Sequence, residues 1–80
     1  GKYTVQVASF ADEQEAKNRA AELKAKGGWQ AFYLPATVNG KPWFRVMVGL
    51  FQNYKSAQDF RAQFMKDTNT SSAIVQKIVQ

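Results

Sequence analysis

Four side chains carry recognition chemistry at strand spacing: Gln6 and Ser9 in one apolar run, Trp43 and Arg45 in another. An indole offers a wide, rigid surface at small entropic cost. A guanidinium offers five donors in a fixed fork, and a carboxamide both donates and accepts. Such a set suits a flat polymer rich in hydroxyls or amides. Catalytic chemistry is poorly supplied by comparison. The sequence has no cysteine and no histidine, which removes thiolate metal sites, disulfides, the commonest general base and the commonest metal ligand. No Gly-rich phosphate loop precedes a helix, and no metal-ligand cluster is spaced to converge, so no cofactor and no metal are expected.

Eighty residues make one domain, expected to span 1–80. With 45% hydrophobic and 14% aromatic residues, the chain can build a core. Eleven basic against six acidic side chains leave a net charge of +5, a sign that favours an anionic partner. No apolar run is long enough to span a membrane. Gly1 starts without a basic–apolar leader pattern, so any targeting signal or membrane anchor is expected outside this segment.

The elements that position these groups follow from an internal repeat. Val5-Gln6-Val7-Ala8-Ser9-Phe10 matches Val46-Met47-Val48-Gly49-Leu50-Phe51 at an offset of 41 (46 − 5), and the same offset places Asp12 on Asn53 and Ala16 on Ala57. Each half reads as an alternating strand, a capping residue and an apolar-striped helix. Tyr3–Phe10 is the first strand. Asp12 caps a helix to about Lys26, with Glu15 placed for a capping box, an Ala16, Ala20, Leu23 stripe and Gly27-Gly28 as the stop. Trp29–Val38 is a strand that Pro35 confines to an edge. Asn39-Gly40 makes a tight turn into Lys41–Leu50. Asn53 caps a second helix to about Lys66, carrying Ala57, Phe60 and Phe64 on one face. Asp67–Ser72 reads as a loop and Ala73–Val79 as a last strand.

The order β-α-β-β-α-β predicts an α+β fold of the RNP-like, ferredoxin-like kind: a four-stranded antiparallel sheet, order 4-1-3-2, with both helices on one face. The other face is left open. Alternation turns Val5, Val7, Phe44, Val46 and Val48 toward the helices, and Gln6, Ala8, Trp43, Arg45, Met47 and Gly49 toward the open side. Small Ala8 and Gly49 are expected to leave room for a ligand. Ser9 ends the first strand, either starting the turn or donating to the same ligand. Phe32, Leu34 and Ile74 extend an apolar floor, while Tyr3, Trp29, Tyr33 and Tyr54 read as core or rim.

Tyr3-Thr-Val-Gln-Val-Ala-Ser-Phe10 and Lys41-Pro-Trp-Phe-Arg-Val-Met-Val-Gly-Leu-Phe51 resemble the first- and third-strand signatures of the SPOR domain, the sporulation-related repeat of bacterial envelope proteins. The resemblance covers roughly Lys2 to Val79. Ala8 stands where that family more often has Gly, and Leu50 where it more often has Pro. The resemblance implies a non-catalytic module that binds peptidoglycan glycan strands, preferentially those denuded of stem peptides, in the cell envelope at division septa. It carries glycan-binding roles onto Gln6, Ser9, Trp43, Arg45 and Ile74.

Three other readings compete. An RNA-binding module of the RRM kind shares topology and charge, but stacks bases on aromatics of both central strands, and here the first strand presents Gln6 and Ala8. No nucleic acid is therefore expected as partner. A glycan hydrolase needs two carboxylates about 5–10 Å apart across a cleft. Asp12, Glu13, Glu15, Glu22, Asp59 and Asp67 instead fall on predicted helices or their ends. A structural role through an exposed sheet edge is the third.

Overall fold

The computed structural model describes residues 2–78. It contains β1 (Tyr3–Phe10), α1 (Glu13–Gly27), β2 (Ala31–Val38), β3 (Lys41–Phe51), α2 (Tyr54–Thr68) and β4 (Ile74–Lys77). The antiparallel sheet runs β2-β3-β1-β4, which is the expected 4-1-3-2 order. Repeated caps start the two helices. The Asp12 carboxylate accepts from the Gln14 N–H at 3.1 Å, and the Asn53 side-chain carbonyl accepts from the Ser56 N–H at 2.8 Å. Asp12 thus caps through the second helical N–H rather than through the reciprocal box that Glu15 suggests.

Both helices lie on one side of the sheet. Their small and aromatic stripes (Ala16, Ala20 and Leu23; Ala57 and Phe64) are buried against Val5, Val46 and Val48. Alanines on these stripes let the helix axes approach the strands, and the aromatics fill the space between. Phe64 packs against Trp29 at 5.0 Å and Phe60 at 5.8 Å between ring centroids.

Element ends depart from expectation where tertiary bonds intervene. Trp29 folds onto Phe64 instead of opening β2, which starts at Ala31. Helix α2 runs on through Asp67 and Thr68, residues expected in a loop. Asn69 takes φ +55, its N–H donates to the Met65 carbonyl, and the Thr68 hydroxyl donates to the Phe64 carbonyl at 2.7 Å. The last strand is shorter than Ala73–Val79: Ala73 is buried ahead of it, its carbonyl accepting from the Arg61 guanidinium. Val79 lies outside the described residues. Asn39 and Gly40, at φ +52 and +78, form the two-residue turn between β2 and β3, and the positive pair matches the twist of the flanking strands.

Gly27 gives a test of packing against propensity. Alanine in a helix is ordinarily favoured over glycine by about 1 kcal/mol. A Cβ at Gly27, however, would run into the Trp29 ring. Gly27→Ala is therefore expected to lower stability in urea unfolding, and to raise it in a Trp29→Ala background, where the obstruction is gone.

Candidate functional site

The sheet face away from the helices is built by cross-strand pairing. Gln6 lies opposite Met47 on one side and Ile74 on the other; Ser9 lies opposite Arg45, Arg45 opposite Leu34, and Trp43 opposite Ala36. Directly opposed residues share a face, so Gln6, Ser9, Trp43, Arg45 and Ile74 all project to the open side. Neither helix-side core cluster includes any of them.

Two bulges decide this arrangement, and alternation alone misplaces residues around both. In β1, Gln6 pairs with Met47 but Ala8 pairs with Val46, so Val7 and Ala8 together oppose one residue. Ala8, expected on the open face, packs against the helix-side core beside Val7. Strict alternation from Gln6 would send Ser9 to the helices; the extra residue returns it to the open face across from Arg45. In β3, Val5 pairs with Val48 and Tyr3 with Phe51, leaving Gly49 and Leu50 opposite Thr4. Gly49 takes φ +79, and a Cβ there would lie 2.6 Å from the Phe51 ring, so glycine is required for the backbone and not as space for a ligand. The Thr4 hydroxyl, 1% exposed, donates to the Gly49 carbonyl at 2.6 Å, and the Gly49 N–H donates to the Gln30 carbonyl at 2.8 Å.

Across the open face, from β2 over the central strands to β4, lies a hollow of about 310 Å³ lined by Leu34, Ala36, Arg45, Met47, Gln76 and Ile78; of the five expected site residues only Arg45 lines it. Met47 forms its floor, 4% exposed. Gln76 in β4 and Ile78 just past its end were missed by sequence reasoning, although both share the parity of Ile74. Gln76 also fixes the Gln6 carboxamide: its Nε2 donates to Gln6 Oε1 at 3.1 Å. The Gln6 carbonyl is thus engaged, and its amide N–H groups remain for a ligand.

The electrostatics are one-sided. Among the described residues Arg45 makes no ion pair, and the three salt bridges, Arg19–Glu22, Lys26–Glu22 and Lys55–Asp59, all lie on the helices. Among the described residues the carboxylates lie on the helices or at their caps, none of them on the open face. The open face presents donors (guanidinium, amide, hydroxyl) against an apolar rim of Trp43, Leu34 and Ile74. It fits an acceptor-rich or anionic ligand. A second hollow, about 340 Å³ between the helix C-terminal ends, is lined by Leu23, Trp29 and Phe64, with Arg19 and Glu22 already paired at its rim. Tyr33 reads as rim: its hydroxyl donates to Glu13 at 3.0 Å, and this bond, with partial desolvation and the nearby negative charge, holds its pKa above the usual 10.0. No three His, Cys, Asp or Glu side chains converge as metal ligands among the described residues.

Comparison with known proteins gives two findings. The sequence model of one family, the SPOR domain, matches residues 1–76. The crystal structure of the RlpA SPOR domain from Pseudomonas aeruginosa superposes with a TM-score of 0.71 at 19% identity, covering 98% of this chain and 100% of that one. That likeness concerns the fold. No curated protein matches the sequence.

Proposed function

The chain belongs to the SPOR domain family, whose members bind bacterial peptidoglycan, and we propose that its open sheet face holds glycan strands denuded of stem peptides. Through that contact the domain would bring the protein that carries it to the cell envelope at the division septum. The observation that supports this most is Arg45 at the centre of a donor-rich face, where among the described residues it has no ion-pair partner and meets no carboxylate.

Alternating N-acetylglucosamine and N-acetylmuramic acid presents flat C–H faces, acetamido groups and hydroxyls. Once the stem peptide is removed, it also presents a free lactyl carboxylate. Trp43 covers a sugar face. Arg45 pairs the carboxylate, Gln6 donates its free amide hydrogens to an acetamido carbonyl, and Ser9 bonds a hydroxyl. Met47, Leu34 and Ile74 supply the apolar surround. Discrimination then rests on charge, because an attached stem peptide converts the carboxylate into a neutral amide. Small residues at 8 and 49 do not carry it, since one faces the core and the other is taken up by a bulge. The chemistry is binding alone, with no bond made or broken.

Pull-down of the domain by purified sacculi before and after amidase digestion tests this reading. Capture should rise after digestion and fall again in high salt. Equal capture by digested and undigested sacculi would overturn it.

A further inference from the structure

We propose that the free edge of β2 is a docking site for an extended acidic segment of a partner protein, added to the sheet as a fifth strand whose acidic residues alternate with apolar ones. β2 is an outer strand, paired among the described residues only with β3. The two-residue turn makes Val38 and Lys41 a hydrogen-bonded pair, so by alternation Phe32 and Leu34 bond to β3. The outward N–H and C=O groups are then those of Ala31 and Tyr33; Pro35, with no N–H, ends any added ladder there. Two hollows flank this short edge. One, about 350 Å³, lies in the angle between α1 and β2, where Lys17, Ala20, Ala21 and Lys24 face Tyr33. The other, about 540 Å³, lies on the open-sheet side among Phe32, Leu34, Leu50 and Ile78. Phe32 and Lys24 line both, so the hollows are continuous around the edge.

Successive side chains of a strand point to opposite faces, and an added strand therefore delivers alternate residues to the two hollows. The α1 side is basic. Lys17 and Lys24 are two helical turns apart on one face, with small alanines between them, and neither has an ion-pair partner among the described residues. Carboxylates fit there. The other side is mainly apolar, with Lys24 reaching its rim, and Leu34 and Leu50 are 40% and 43% exposed on it. Main-chain bonding would hold the segment, and the two hollows would select its alternation. The net charge of +5 disfavours a second copy of this chain as the occupant.

The test is an NMR titration with a short, end-blocked synthetic peptide alternating glutamate and valine. The outward amides of Ala31 and Tyr33 should shift and gain protection from exchange. The same peptide N-methylated at alternate backbone nitrogens should not bind. The Lys17→Glu/Lys24→Glu variant should bind the unmodified peptide about tenfold more weakly, with sacculus capture unchanged. Shifts centred on Trp43 and Arg45, undiminished binding of the N-methylated peptide, full affinity in the lysine variant, or self-pairing of the domain through β2 would each overturn the proposal.

Discussion

Arg45→Ala should weaken capture by amidase-treated sacculi about 10- to 150-fold and leave the urea midpoint nearly unchanged. The range corresponds to a charge-assisted hydrogen bond of about 1.5–3 kcal/mol, shielded from bulk water. Arg45 is half-buried between Ser9 and Leu34, which supplies part of that shielding. It makes no ion pair within the described residues, so its removal strands no carboxylate and folding has little to lose. Arg45→Lys should restore only part of the affinity, because a point charge replaces the planar fork. Trp43→Ala and Gln6→Ala are expected to move in the same direction. If the alanine variant at 45 bound treated sacculi like the unmodified domain, the assignment of the carboxylate contact would be lost.

The largest effect on stability is expected from the other side of the same strands. Phe64 is 2% exposed and packs between Trp29 and Phe60 over Val46 and Val48. Phe64→Ala removes a full aromatic ring and leaves a hole that the rigid strands beneath cannot close, at a cost of about 3–5 kcal/mol. A domain of this size is held by only about 4–12 kcal/mol, so the loss is a large share of its stability and the urea midpoint should fall steeply. Urea unfolding reads the loss directly. Affinity per folded molecule should be unaffected, since Phe64 is on the helix side and the donor set faces away from it. A changed affinity at full folding would mean that the two faces are mechanically coupled.

Much of this architecture was legible because the chain states it twice. The repeated Val-x-Val run, the Asp12 and Asn53 caps and the alanine stripes define two strand–helix units, and Asn39-Gly40 fixes how the hairpin between them turns. The bulges were the obscure part. At Gly49 a glycine within a strand was a usable signal of irregularity. At Val7-Ala8 nothing in the residue types marks the extra residue, and it emerges only from pairing across to Val46. That one irregularity moves Ala8 into the core and Ser9 out of it. Gln76 escaped notice for a different reason: its contribution is a bond to Gln6, seventy positions away, that exists only once β4 lies beside β1.

The Ile78 N–H donates to the Lys2 carbonyl at 2.8 Å, so the polypeptide enters and leaves this body at neighbouring points. Its connectivity is consequently negotiable. A short bridge from Ile78 to Lys2 would turn β4 and β1 into a hairpin, and the backbone could be cut instead in the Ser71–Ser72 stretch without parting any pair of strands. A circularly permuted version would keep the open sheet face intact, because that surface depends on which strands are neighbours and not on the sequence in which the ribosome delivers them.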